Sequence, residues 1–266
     1  MPSLILPSRF GAQPQQGGSL IAELANYARV LVNPGVGRFN LINGEAGTIN
    51  DAANIAQRTG AYGKSISITA AGGSTAISFP IKDGLSGSNG YGGFGSGYTL
   101  LLDFVCVNAI TSGGLFQISG TASSTIPNIL LNADTGNDLR FYTSGGYRIT
   151  APGVLTAGSR HRLGITFDNR STTTMVRNGQ VVGIYGSAPG ALAQGVSLWL
   201  GNGYPSSAVC DWYFALATNA YTDPQLLRDI TAKSMGAAFQ PAPRMFSSAG
   251  GSAAAAAGRP RIFVCT

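Results

Sequence analysis

The stretch H161-R-L-G-I-T-F-D-N-R-S-T-T-T-M-V-R-N-G-Q-V-V-G-I-Y-G186 decides the fold. Leu163, Ile165 and Phe167 alternate with Gly164, Thr166 and Asp168, the period-two pattern of a half-buried strand. Asp168 to Ser171 is rich in residues whose side chains bond their own backbone, which makes a turn. A second strand follows through Thr172 to Val176. Asn178-Gly179 then supplies the two positive-φ residues of a type I′ turn, and Val181, Val182 and Ile184 return as its partner strand. This is an antiparallel meander, and the chain around it reads as more sheet.

Strand patterns extend in both directions. Ser65 to Thr69 and Ala76 to Ile81 come first, and Thr99 to Val107 is a nearly continuous apolar run, as in a central strand buried on both faces. Leu115 to Ser119, Asn128 to Leu131, Leu139 to Tyr142, Tyr147 to Ile149, Val196 to Leu200 and Trp212 to Leu216 follow. About a dozen short strands suit a two-sheet sandwich. One helix is expected from Thr222, with Thr222 as cap, Gln225 reaching back and Pro224 in the first turn. Leu226, Leu227 and Ile230 form its apolar stripe, and Gly236 ends it. A second short helix is expected over Ser19 to Ala28, capped by Ser19. Arg29 to Gly60 is ambiguous, with turn signals at Asn33-Pro34-Gly35 and Asn43-Gly44.

Three segments result: residues 1–60 as an N-terminal arm and short helix, 61–236 as an all-β antiparallel jelly-roll sandwich, and 237–266 as a low-complexity basic tail. Of 266 residues, 11% are charged and 38 are Gly, against a usual charged share of about 25%. Such a surface is poorly protected against association, so a homo-oligomer or larger assembly is expected. The net charge is +6, yet residues 1–232 carry only +2. Four cations spread over the tail are thin for nucleic acid, which is not an expected partner.

With one His and three Cys in no C-x-x-C grouping, a zinc site is not expected. Cys106 and Cys210 read as small buried strand residues. Neither a signal peptide nor a membrane-spanning run is read. Asp134-Thr-Gly-Asn-Asp138 offers two carboxylates and an amide, so Asp134 and Asp138 are the weak candidates for calcium, against a plain polar hairpin tip. No other cofactor is expected.

The order of these elements resembles a laminin-G-like or concanavalin-A-like lectin/glucanase domain of the kind found in bacteriophage structural proteins. The resemblance runs from Gly60 to Ala232. It rests on Gly63-Lys64-Ser65-Ile66, Tyr98-Thr99-Leu100, His161-Arg162-Leu163, Asn178-Gly179-Gln180-Val181 and Tyr221-Thr222-Asp223. Phe239-Gln240-Pro241 and Pro243-Arg244 are similar to the close of many phage sandwich proteins, without its Trp. The resemblance implies a jelly roll with a binding or structural role.

A glucanase on such a fold needs paired carboxylates. The only glutamates, Glu23 and Glu45, fall outside the matched region, so no enzyme is expected. His161 reads as a strand-entry residue and Asp103 as a hydrogen-bonded residue in an apolar strand. Trp199, Trp212, Tyr204 and Tyr213 could stack on sugar rings, but Trp199 and Trp212 lie in strand patterns and read as core. Tyr91 and Phe94, on a Gly-rich loop, and Tyr204 are the expected carbohydrate or partner contacts. Phe10, Arg244, Phe246, Arg259, Arg261, Ile262 and Phe263 are the expected assembly contacts. The sequence thus points to a virion protein of the capsid-decoration or tail type, assembled in host cytoplasm with other virion proteins. The alternative is a phage adhesin that recognises a host surface glycan.

Overall fold

The computed structural model describes residue 24 and residues 27–71, 75–81, 97–108, 113–119, 129–134, 136–143, 146–168, 172–186, 197–201 and 208–233. Within them lie fifteen strands: β1 (Ala28–Val32), β2 (Thr48–Ile49), β3 (Ile55–Gly60), β4 (Gly63–Ile68), β5 (Ala76–Pro80), β6 (Tyr98–Cys106), β7 (Gly113–Ser119), β8 (Ile129–Asp134), β9 (Asp138–Thr143), β10 (Gly146–Ala151), β11 (Arg160–Phe167), β12 (Thr173–Arg177), β13 (Gln180–Tyr185), β14 (Ser197–Gly201) and β15 (Cys210–Thr218). One helix, α1 (Pro224–Ala232), follows them. All pairings are antiparallel. The first sheet runs β13-β12-β11-β6-β15-β4-β3, with β1 also on β15, and the second runs β10-β9-β8-β7-β14-β5-β2. This is the expected all-β, two-sheet jelly-roll sandwich.

The opening meander forms as the alternation requires. Leu163 and Ile165 face the core between the sheets, and Asn178 and Gly179 hold φ at 48° and 84° in the β12–β13 turn. Asn178 also pins that turn to β11, its Oδ1 accepting from the Arg162 N–H at 2.8 Å. Strand β6 is buried along its whole length. Leu100, Leu102, Phe104 and Cys106 point into the inter-sheet core. Leu101 points the other way, into a second cluster with Val176, Leu216, Leu227 and Ile230.

That second cluster exists because α1 lies on the outer face of the first sheet. Gly164 lets it approach, since a Cβ there would stand 2.5 Å from Leu227 Cδ1. Full burial of Leu227 stabilises by about 2 kcal/mol. The helix cap differs from expectation. Asp223 is the N-cap, its Oδ1 accepting from Gln225 N–H at 2.8 Å. Thr222 is instead fully buried, 2.9 Å from the Thr99 hydroxyl. A buried hydroxyl keeps a partner in the sheet rather than turning to the helix end.

Residues before 61 enter both sheets, because β1 pairs β15, β2 pairs β5 and β3 pairs β4. Ala28, expected to close a helix from Ser19, opens β1. The Asn33 turn forms as expected, with Asn33 Oδ1 accepting from Gly35 N–H at 2.9 Å. Cys106 and Cys210 are buried and face each other across β6 and β15, with sulfurs 3.6 Å apart. Among the described residues no helix is long and apolar enough to cross a membrane.

Candidate functional site

Strand β15 is flanked on one side by β6. On its other side it changes neighbour: Cys210 to Trp212 pair with β4, and Ala215 to Thr218 pair with β1. At the changeover the register with β6 slips, Trp212 standing opposite Phe104 and Phe214 opposite Asp103. Tyr213 is the extra residue of that bulge. Bulges re-aim side chains, and here Trp212 enters the inter-sheet core while Phe214 enters the cluster on the opposite face. Tyr213 lines a depression on the outer face of the first sheet, beyond the reach of α1.

The depression encloses about 180 Å³ between Asn33 and Gly35 of the loop after β1, Tyr62, Gly63 and Lys64 at the β3–β4 turn, and Asp103, Arg160, Tyr213 and Phe214. That is smaller than the ~300–1,000 Å³ of drug-sized pockets and suits one small ring. Asp103 is fully buried at its floor. Arg160, a diagonal neighbour on β11, grips it: Nε donates to Oδ1 and Nη2 to Oδ2, each at 2.7 Å. Burial pushes the Asp103 carboxyl above its ordinary range, and the guanidinium opposes that shift. The same bonds raise Arg160, and the geometry is that of a bidentate ion pair.

Two rings flank the guanidinium. Its carbon lies 4.8 Å from the Tyr62 ring centre and 5.3 Å from that of Tyr213, within cation–π range. The rings meet edge to face, with centres 5.7 Å apart and planes at 89°. Tyr213 is 8% exposed; Tyr62 is 46% exposed and offers its ring to solvent. Burial, then the charge of Asp211, pushes the Tyr213 hydroxyl up, so it is neutral and can donate. The assembly is a fixed cation between aromatic walls, with one carboxylate beneath.

Of the residues singled out from sequence, Asp103 and Tyr213 belong here. Tyr213, one of the aromatics that could stack on a sugar, is carried to this face as the extra residue of the bulge. Tyr62 and Arg160 were missed as site residues. The Gly60-Ala61-Tyr62-Gly63 turn, an aromatic between glycines, was the available signal for Tyr62. Trp212 and Trp199 are core residues, as expected. His161 is buried against Phe104, its Nδ1 accepting from Arg177 Nε at 3.0 Å. Burial lowers its pKa to about 4. Asp134 and Asp138 face each other across β8 and β9 and share Arg140, whose guanidinium stands 2.5 Å and 4.0 Å from their carboxylates. Among the described residues no three His, Cys, Asp or Glu side chains gather as a metal-binding group. Tyr91, Phe94 and Tyr204 lie outside the described residues, as do Phe10, Arg244, Phe246, Arg259, Arg261, Ile262 and Phe263.

No protein-family model matches the chain, and no curated protein matches it in sequence. Solved structures do match. A Trypanosoma rangeli sialidase superposes with a TM-score of 0.57 at 12% identity, over 78% of this chain and 32% of that one. The chain thus spans about a third of the sialidase. Domain 4 of AbnA, a GH43 extracellular arabinanase from Geobacillus stearothermophilus solved with arabinotriose, matches at TM-score 0.54 and 17% identity, over 82% of this chain and all of that one. Botulinum neurotoxin type C, whose cell entry depends on two ganglioside molecules, matches at 0.56 and 6%, over 79% and 53%. At these identities the likeness is one of fold, a β-sandwich shared with glycan-binding domains.

One expectation is corrected by these matches. The exclusion of an enzyme rested on one missing carboxylate layout, and the sialidase match overturns it, because chains that are enzymes carry this sandwich. The phage setting has no counterpart among these structures, so only the lectin-like sandwich of the original resemblance is carried forward.

Proposed function

We propose that this chain is a carbohydrate-binding β-sandwich module whose sugar packs on Tyr62 in the depression where β1, β4 and β15 meet. The observation that carries the reading is the solvent-facing Tyr62 ring, held edge-on by Tyr213 beside a guanidinium fixed by Asp103. A sugar presents apolar C–H faces and a rim of hydroxyls. An aromatic plane suits the first and preset donors suit the second. Because the ion pair and the bulge position these groups before any ligand arrives, little ordering cost falls on binding. The arabinotriose complex of the arabinanase domain and the gangliosides of the neurotoxin support a sugar as the class of ligand.

The test is glycan-array binding followed by titration calorimetry, with Tyr62→Ala beside the unaltered chain. Tyr62 is at a turn and exposed, so the variant keeps its fold. Retention of at least one glycan, weakened about tenfold or more by Tyr62→Ala, is the expected result. No glycan retained, or equal retention by both proteins, overturns the reading.

A further inference from the structure

Arginine carries five N–H donors arranged as two forks. In Arg160 the side-on fork, Nε with one hydrogen of Nη2, is spent on Asp103 through the two 2.7 Å bonds. The end-on fork, Nη1 with the other hydrogen of Nη2, has no hydrogen-bond acceptor among the described residues. Asp103 lies at the fully buried floor, while the Arg160 side chain is 19% exposed. The free fork therefore looks away from the floor and into the depression that Arg160 lines.

Charge points the same way. Asp103 cancels Arg160, which leaves the Lys64 ammonium as the surplus charge among the lining residues. Just outside, Arg162 acts on Asp103 and Asp211 acts on Tyr213, and these two offset each other. The depression thus holds a surplus of one positive charge beside a vacant planar fork. A fork of this shape matches a carboxylate through two parallel N–H···O bonds, where a lone hydroxyl fills only half of it.

Resting on the carbohydrate reading above, we infer that the preferred sugar carries a carboxylate, as a uronate or a sialate does. The carboxylate meets the end-on fork of Arg160, Lys64 adds a second cation at the rim, and the sugar ring lies against Tyr62. Asp103 here is a positioning residue. It fixes the guanidinium plane so that the free fork is already oriented.

The experiment compares each acid with a neutral partner by titration calorimetry on the full chain: tri-galacturonate against its methyl ester, and sialyllactose against lactose. At least one acid should bind about tenfold more tightly than its partner, as charge-assisted bonds do over neutral ones. Raising salt should narrow that gap, because exposed charges are screened. Lys64→Gln, an exposed substitution, should narrow it too. If neutral sugars bind as well as acids and Tyr62→Ala still weakens them, the carbohydrate reading stands and the carboxylate preference is overturned. If an acid advantage survives both high salt and Lys64→Gln undiminished, the assigned role of Lys64 is overturned. If no sugar binds, the carbohydrate reading itself fails.

Discussion

Replacing Gly179 by alanine should destabilise the sandwich by about 2–5 kcal/mol, in two separable parts. Gly179 holds φ at 84°, where an L side chain costs roughly 1–2 kcal/mol. An alanine Cβ there would also stand 2.9 Å from Ala232 Cβ at the end of α1. Overpacking of that kind costs about 1–3 kcal/mol. Any retreat of the turn stretches two bonds that fasten it to the helix, Gly179 N–H to Thr231 Oγ1 at 3.0 Å and Arg228 Nε to Gly179 O at 3.1 Å. Gly44 is the internal control, because its φ is 77° but a Cβ there meets nothing within 4 Å. Gly44→Ala should cost only the conformational part, about 1–2 kcal/mol.

Urea unfolding followed by fluorescence of the buried Trp199 and Trp212 measures both variants. In a chain of this size each kcal/mol also lowers the melting temperature by about 2–4 °C. A cycle with Ala232→Gly isolates the contact. Removing that methyl should make Gly179→Ala about 1 kcal/mol less costly, a coupling typical of touching residues. Equal costs at Gly44 and Gly179, with no coupling to Ala232, would refute the docking of the hairpin turn on α1 as a source of stability.

Asp103→Ala should cost about 3 kcal/mol in the same assay, near the low end for a broken buried pair because Arg160 regains some water. Asp103→Leu combined with Arg160→Met should be less harmful than Asp103→Ala alone, since two apolar side chains leave no stranded charge. A double variant at least as unstable as the single one would show that the pair is needed for folding as well as for positioning. His161 should make stability pH-dependent. Its pKa falls from an ordinary 6.5 to about 4 on folding, so between those values the unfolded chain binds the extra proton. Stability is therefore full above pH 6.5 and declines towards pH 4, by up to about 3 kcal/mol from this group. His161→Gln should flatten the difference in urea midpoint between pH 7.5 and pH 4.5, and an unchanged pH profile would exclude His161 as its source.

What could be read from the sequence was what depends on near neighbours. Alternation along Leu163 to Phe167, the Asn178-Gly179 turn and the continuous run through β6 each announce themselves within a few residues, and the sheets follow. The site does not. Asp103 and Arg160 stand 57 residues apart in sequence, and only the pairing of β6 with β11 makes them neighbours. Tyr213 is the odd residue of a bulge, which is set by the partner strand and leaves no local mark in the sequence. Strands β1 to β3 escaped notice for a related reason. Each is short, and β3 buries only Ile55 fully, so its pattern lacks the apolar alternation that marks a strand. Thr222 read as a cap because local rules reward a hydroxyl before Asp-Pro, and those rules cannot see the buried Thr99 hydroxyl waiting in the sheet.

The bulge at Tyr213 separates what the sheet needs from what its outer face offers. Deleting that one residue would let β15 run beside β6 without a slip, Trp212 against Phe104 and Phe214 against Asp103, as both pairs already stand. The inter-sheet core would be unaltered, while Tyr62 would lose the ring that braces it and Arg160 one of its two walls. On the carbohydrate reading proposed above, the binding face thus depends on one residue that the β6–β15 pairing does not need. A Tyr213 deletion is therefore expected to keep the sandwich while abolishing the binding proposed at Tyr62, a result that calorimetry with urea unfolding reads directly.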